Sequence, residues 1–333
     1  LLASSAASDV YKRQLYLGPI YTWGTIGGRT DFYMWKPVFL DYSYNFAVRN
    51  FRHGSFGNIT KIDNTRQVKN SESFFSVAAG MPLAHRGVFL IRANGGHVNY
   101  RYDSDELFAD DTDHSRYSFF GIKAELARNT LDKFLYPRRG SDLKLSGIFV
   151  TGRDKYEPFD AEKFLSRTSR QWVGARLTWD KYFDMPGTGW FSLGVNVDGV
   201  ITNHPEFTTG GATLMSMPAY TPVSHAQMIY MPDFRGKRFA AGGVMPTFDL
   251  MPNFFLRTGF YAMFREKRSF VPGVSGPVED KRWHYIAEAS LVYHTPIGPV
   301  SLALTKYDLR NWKNMYLTFN FGYAIFAPKG TFY

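Results

Sequence analysis

The last third of the chain alternates apolar and polar residues, and this period of two constrains the fold more than any other feature. One face of the final segment would carry Leu317, Phe319, Phe321, Tyr323 and Ile325, and the other Thr318, Asn320, Gly322 and Ala324. Large apolar side chains opposite small and polar ones are typical of a strand between lipid and water. A soluble sandwich would instead bury its bulk and expose its charges. The pattern predicts an all-β fold, a transmembrane antiparallel β-barrel with apolar side chains outward and a polar, water-filled interior.

The composition fits this prediction and excludes two other classes. The chain has 30 Phe and 21 Tyr beside 7 Trp. No stretch approaches the roughly 20 apolar residues of a membrane-spanning helix. A net charge of +10 would suit nucleic acid, but the basic residues are spread out and form no Lys/Arg cluster. We therefore expect no nucleic-acid partner, and anionic lipopolysaccharide or a polar interior would account for the charge.

Fourteen strands are predicted, and short and long connections alternate between them, as in outer-membrane barrels. The predicted strands span 15–24, 27–35, 38–50, 68–81, 88–101, 116–128, 140–152, 168–182, 189–203, 237–250, 253–265, 283–295, 298–307 and 314–326. Closure of an antiparallel barrel needs an even number of strands. Two further strands before the first would give sixteen.

The first 14 residues differ from the rest. Residues 1–14 resemble a translated sequencing-adaptor leader, and they lack the charged start and apolar core of a signal peptide. We expect residues 15–333 to be one outer-membrane barrel domain, truncated at its N-terminus.

Four segments resemble the surface-antigen barrel superfamily, which includes the outer-membrane assembly factor and two-partner secretion transporters. They are the turn Asp132–Gly140, the Arg-Gly loop segment Phe234–Phe239, the hairpin Ser290–Leu302 and the closing strand Leu317–Phe326. The resemblance implies a sixteen-stranded barrel in the bacterial outer membrane. Its closing strand implies recognition by the outer-membrane assembly machinery.

Within that superfamily, Tyr293–Leu302 and Phe319–Phe326 are most similar to the C-terminal barrels of patatin-like phospholipases from Bacteroidetes-type bacteria. In those proteins a periplasmic patatin hydrolase precedes the barrel. The resemblance implies that this chain is the membrane anchor and conduit of a hydrolase of lipid metabolism that lies upstream. Its partners would be outer-membrane lipids, lipopolysaccharide and the upstream periplasmic domains.

No catalytic residue is predicted in this part of the protein. A patatin nucleophile needs a Gly-x-Ser-x-Gly turn, and the serine between Gly273 and Gly276 has the wrong spacing. Asp198-Gly199 resembles the patatin Asp-Gly pair, but a strand with Asp198 facing inward explains it more simply. The eight His residues show no metal-binding spacing, so neither a metal nor a cofactor is expected.

The candidate functional site is Arg235-Gly236, in the longest predicted loop. In the resembled family this loop folds back into the barrel, and its arginine binds the inner wall. A guanidinium in a narrow interior needs a strong acceptor such as a carboxylate. The family's usual acceptor aspartate is replaced here by Arg257, so the inward-facing Asp249 and Glu288 are the candidate partners. The alternative is a solvated loop arginine.

Three other functions are compatible with a barrel. An outer-membrane protein assembly or translocation barrel would insert or secrete proteins through a weak seam between the first and last strands, and would follow several transport-associated repeats. A diffusion porin is disfavoured by the Arg-Gly loop, and an intrinsic outer-membrane phospholipase by the lack of a Ser/His/Asn arrangement on the wall.

Overall fold

The computed structural model describes residues 12–16, 21–32, 38–52, 67–103, 112–157, 166–185, 189–228, 231–266, 282–307, 315–321 and 331, without the single residues 85, 134, 209 and 297. Residues 1–11 of the predicted leader and 322–326 of the predicted closing strand lie outside this set. The first strand begins at Lys12, so three residues of the segment 1–14 are part of the sheet. The assignment of that segment to an artefact stays a prediction.

In the described part of the chain, fourteen strands form one antiparallel sheet in which each strand pairs with its neighbours along the chain. They are β1 (Lys12–Tyr16), β2 (Tyr21–Phe32), β3 (Val38–Arg52), β4 (Gln67–Leu83), β5 (Gly87–Asp103), β6 (Thr112–Asn129), β7 (Gly140–Glu157), β8 (Ser166–Asp184), β9 (Phe191–Thr202), β10 (Arg238–Met251), β11 (Phe254–Arg265), β12 (Trp283–Thr295), β13 (Gly298–Tyr307) and β14 (Met315–Phe321). The predicted fold class and the predicted fourteen strands are confirmed. The count of sixteen stays a prediction.

The two ends of the sheet differ in their connections. One end carries the tight connections, such as 252–253 between β10 and β11, and we call it the short-turn end. The opposite end carries the long connections, of which 203–237 between β9 and β10 is the longest, and we call it the long-loop end. This alternation agrees with the sequence pattern and is the arrangement of outer-membrane barrels.

The predicted first hairpin is wrong. Ile26, which the sequence pattern places in a turn, lies inside β2 and pairs with Tyr44 of β3. The glycines beside it make room for the neighbouring strand, because a Cβ atom on Gly28 would lie 2.6 Å from the hydroxyl oxygen of Tyr42. Glycine within a strand often marks such a close approach rather than a turn.

On the outer face of the sheet, the side chains follow the predicted alternation: exposed apolar residues alternate with buried ones. Along β4, Phe75 and Val77 are 67% and 49% exposed, whereas Phe74, Ser76 and Ala78 between and beside them are buried. Exposed large apolar side chains recur on the same face around the sheet, including Ile91, Ile122, Phe149, Val173, Leu177, Phe260, Leu291 and Phe319. An apolar outer surface of this extent is stable only in contact with hydrocarbon.

The helical elements of the described residues lie in the loop 203–237. They are α1 (Gly210–Ser216), α2 (Ser224–Met228) and a 3₁₀ turn at Pro232–Phe234. Among the residues described, no helix has the length and apolar character needed to cross a membrane.

The interior differs from the predicted water-filled one. Toward the long-loop end, inward-facing Tyr117, Trp172 and Met263 are buried in an apolar cluster. The loop 203–237 enters the barrel and supplies the apolar surface that these side chains contact. Toward the short-turn end the wall is charged, with ion pairs such as Lys123–Glu125. Toward the long-loop end the interior is therefore a packed core, so water does not fill this part of the barrel as predicted.

Candidate functional site in the barrel interior

The loop 203–237 is buried against the inner wall along most of its length. Its buried apolar residues are Phe207, Ala212, Leu214, Met215, Met217, Ala219, Tyr220, Val223, Ala226 and Phe234. The ring of Phe207 lies 5.1 Å from that of Tyr117, and the ring of Phe234 lies 6.0 Å from that of Tyr307, measured between ring centroids. Since aromatic pairs at such distances add to apolar burial, these contacts hold the loop as part of the barrel core.

Arg235 lies near the C-terminal end of this loop and is 8% exposed. An isolated bridge joins it to Ala219, and the flanking Tyr220 N–H donates to Phe234 O at 2.9 Å, so the two loop segments run as a short antiparallel ribbon. Arg235 Nη1 donates to Met215 O at 2.9 Å and contacts two more carbonyl oxygens described below.

Arg235 donates to carbonyls in the last turn of α1 and to one just after it. Besides Met215 O, the oxygens of Met217 and Leu214 lie at 3.1 and 3.5 Å from Nη1. The last carbonyls of a helix have no partner within the helix, and they carry partial negative charge. A buried guanidinium therefore caps α1 and ties the two halves of the loop together.

Asp249 and Glu288, the candidate partners of Arg235, each bind other side chains. Asp249 lies at the short-turn end and forms an ion pair with Arg138. Glu288 accepts hydrogen bonds from Ser290 Oγ at 3.1 Å and from Thr305 Oγ1 at 3.2 Å. Arg235 thus binds helix carbonyls of its own loop, while Asp249 and Glu288 bind other side chains. The functional role of Arg235-Gly236 stays a prediction.

Arg257 is held among aromatic side chains in the interior. Its Nη2 donates to Tyr182 Oη at 3.1 Å and lies 2.8 Å from Met245 Sδ. Its guanidinium carbon lies 5.6 Å from the ring centroid of Tyr136 and 5.5 Å from that of Tyr182. Cation–π contact and hydrogen bonding thus stabilise the arginine that stands at the expected aspartate position.

Polar contacts between loop and wall involve residues that the sequence analysis did not select. Asp154 Oδ2 accepts from Thr208 N at 3.0 Å and from Thr208 Oγ1 at 2.9 Å, and Asp154 is fully buried. Tyr220 Oη donates to Asn196 Oδ1 at 2.7 Å. Asp154 was missed because the predicted strand ended at 152, whereas β7 continues to Glu157 with Asp154 facing inward.

One further contact anchors the loop through Arg176 of β8. Its guanidinium binds Asp198 of β9 at 3.1 and 2.6 Å, and Nη2 also reaches Ala219 O at 3.3 Å. Asp198 is therefore engaged in a two-pronged ion pair on the wall. This position agrees with the structural interpretation of the Asp198-Gly199 pair.

Two histidines of the loop are buried and neutral. Burial lowers the pKa of His204 to about 3 and that of His225 to about 4. His204 packs on Trp172 with 4.6 Å between ring centroids, and His225 Nδ1 lies 2.9 Å from Tyr307 Oη. Protonation of either ring would place a charge in the apolar cluster, so docking of the loop should weaken as the pH falls from the ordinary histidine pKa toward these lowered values.

The connection 130–139 between β6 and β7 closes part of the short-turn end. Asp132 Oδ1 accepts from the N–H groups of Arg138 and Arg139 at 3.0 and 3.3 Å, which fixes the turn. Tyr136 Oη then donates to Ser301 Oγ of β13 at 3.0 Å. With Arg138 bound to Asp249 of β10, this turn spans from one wall of the sheet to the other.

The comparisons with known proteins agree with this fold. No protein-family model matches the sequence, and no curated protein matches it. The chain is similar to the structure of BamA from Haemophilus ducreyi lacking POTRA domains 1–3, with a TM-score of 0.59 and 12% identity, over 90% of this chain and 61% of that chain. This chain therefore spans about three fifths of that BamA chain.

Two other solved structures match at TM-scores too low to carry an argument. They are the RagAB peptide transporter, with a TM-score of 0.37 and 7% identity over 86% of this chain and 40% of that chain, and OccK11 (OpdR) of Pseudomonas aeruginosa, with a TM-score of 0.29 and 10% identity over 89% and 87%. The chain has the fold of the bacterial outer-membrane β-barrels.

Proposed function

We propose that this chain is a barrel domain of the bacterial outer membrane that anchors upstream periplasmic domains and has a closed interior. The upstream domain that the sequence resemblance implies is a patatin-like phospholipase hydrolase. The barrel would hold this hydrolase at the membrane, and it would act as a conduit only when the loop 203–237 leaves the interior.

The observation that carries this proposal is the packed interior. Phe207, Tyr220 and Phe234 of the loop are buried against the wall, and Arg235 is bound to the helix carbonyls of the loop itself. A diffusion pore needs a continuous water path lined by polar groups. The apolar core at the long-loop end of the interior supports an anchor with a gated passage over an open porin.

The second candidate is an assembly or translocation barrel, and a specific feature favours it. Within the described residues, β1 and β14 are the outermost strands of the sheet, and each pairs on one side only. An assembly or translocation barrel would use a seam between its first and last strands for lateral insertion of a client protein, because an unpaired strand edge can accept a further strand.

The complete open reading frame distinguishes the two candidates. A Gly-x-Ser-x-Gly turn and a later Asp-Gly pair upstream support the anchor. The corresponding protein should release fatty acid from phospholipid vesicles, and replacement of the elbow serine by alanine should abolish that release. Tandem transport-associated repeats in place of a hydrolase would refute the anchor and support the assembly barrel.

A further inference from the structure

A pocket of about 380 Å³ lies at the short-turn end, between the turn 130–139 and the β10–β11 hairpin. Its polar lining includes Lys133 and Arg138 from the turn, Asp249 and Asn253 from the hairpin, and His294 from β12. The pocket is separate from the loop 203–237 and plays no part in the function proposed above.

Three buried nitrogen atoms beside this pocket have no hydrogen-bond partner among the described residues. They are Nε and Nη2 of Arg138 and Nε2 of His294. Arg138 binds Asp249 through Nη1, and its Nε and Nη2 atoms make no hydrogen bond among the described residues. These two atoms form the parallel pair with which a guanidinium binds two oxygens of one anion. Buried polar groups without a partner are rare in folded proteins, and a bound anion would satisfy both of these donors.

The charge of the pocket also favours an anion. Two cationic side chains, Lys133 and Arg138, face one carboxylate, Asp249, so the lining carries a net positive charge.

The apolar residues beside the pocket indicate which kind of anion it binds. Leu250 and Met251 also line the pocket and are 51% and 67% exposed on the apolar side. An amphiphile could therefore place its charged group in the pocket and its hydrocarbon against these residues.

We propose that this pocket binds a phosphate group, and specifically the phosphate of a phospholipid headgroup at the rim of the barrel. Two phosphate oxygens would accept from Nε and Nη2 of Arg138, and Lys133 would supply the second cation. Free inorganic phosphate shares this chemistry and would occupy the same atoms, but it would gain nothing from Leu250 and Met251.

The test uses the whole chain purified in an uncharged detergent at low salt and neutral pH. Isothermal titration calorimetry would measure binding of inorganic phosphate and of dihexanoylphosphatidylglycerol below its micelle concentration. We expect saturable binding of both probes, with the lipid binding at least tenfold more tightly. Equal affinities would assign the pocket to free phosphate. Absence of phosphate and lipid binding would overturn the proposal.

Two variants and one matched control localise the site. Lys133→Met should weaken binding about tenfold, because it removes one of the two cations. Arg138→Lys keeps the charge but loses the paired donors, and should weaken binding by a similar factor. The control Lys155→Met removes one positive charge at the long-loop end, where Lys155 pairs with Glu157, and should leave binding unchanged.

The control and the two variants also define the results that would contradict the proposal. If Lys155→Met weakened binding as much as Lys133→Met, the binding would follow net charge and the proposal would be wrong. The shift in gel mobility on heating reports the folded barrel for each variant. Arg138→Lys and Lys133→Met perturb different contacts, so binding of unchanged affinity in either folded variant also counts against the pocket.

Discussion

Removal of the Arg235 side chain tests whether the loop 203–237 is held in the interior by its own ribbon and helix cap. Nη1 carries two hydrogens, and two of its three oxygen contacts, at 2.9 and 3.1 Å, have ordinary hydrogen-bond lengths. A hydrogen bond from a charged donor contributes about 1.5 to 3 kcal/mol. After partial solvation of the freed carbonyls, we expect Arg235→Ala to cost the docked loop about 3 kcal/mol.

Such a loss shifts the balance between docked and released loop by roughly a hundredfold, since 1.4 kcal/mol is a factor of ten. Two assays follow the released state. Planar-bilayer conductance should rise because the apolar core leaves the water path. Chymotrypsin should cut faster in the loop, because Phe207, Tyr220 and Phe234 are buried while it is docked.

Arg238→Ala is the matched control. Arg238 begins β10 at the base of the same loop, its side chain is 58% exposed, and its contact with Glu266 is 3.7 Å long. Exposed ion pairs of this kind contribute little, so conductance and cleavage should stay at their original values. If Arg235→Ala also left both unchanged, the loop would not depend on the cap, and the reasoning would be refuted.

Three other predictions concern the loop and the turn. First, acid should release the loop. The pKa values of His225 and His204 are about 4 and about 3 in the docked loop and about 6.5 in the released loop. Between the docked and the released pKa of each histidine, the released loop therefore binds more protons than the docked loop. Docking should lose about 2 kcal/mol per histidine between pH 7.5 and pH 5, and conductance should rise over this range less steeply in His225→Phe. Second, Asp154→Ala removes the acceptor of two hydrogen bonds from Thr208 and should weaken docking by about 2 kcal/mol, seen as faster chymotrypsin cleavage. Third, Gly140→Ala should lower the temperature of the heat-induced gel shift, because Gly140 has φ of 100° and a Cβ there would lie 2.3 Å from Thr130 O. We expect a cost of about 1 to 3 kcal/mol, and an unchanged transition would contradict this account of the turn.

The wall of the barrel was predictable because its environment repeats. Each strand meets hydrocarbon on one face, so residues such as Phe75 and Val77 follow a period of two that the sequence displays directly. β11, β12 and β13 were predicted with bounds close to those observed, since each lies between a clear turn and a clear loop. The first hairpin was not, because Gly28 packs against Tyr42 inside a strand.

The interior was less predictable because the inward-facing residues of the wall contact one irregular segment, the loop 203–237. Nothing in the alternation distinguishes an inward Tyr117 that meets water from one that meets Phe207 of a folded-in loop. The acceptors of Arg235 are backbone carbonyls, which have no signature in the sequence. A charged residue such as Asp154 looks like part of an outer loop until the length of β7 is known.

The interior is obstructed at both ends, and the two obstructions lie in series along the same path. At the long-loop end the obstruction is an apolar core with neutral histidines, which we expect acid to disrupt. At the short-turn end it is a turn held by Tyr136 and Arg138 through hydrogen bonds and an ion pair. Resistances in series add, so release of the loop alone leaves the resistance of the turn in place. A barrel that only anchors a domain can tolerate both obstructions permanently, whereas a conduit must remove both, and by different chemistry.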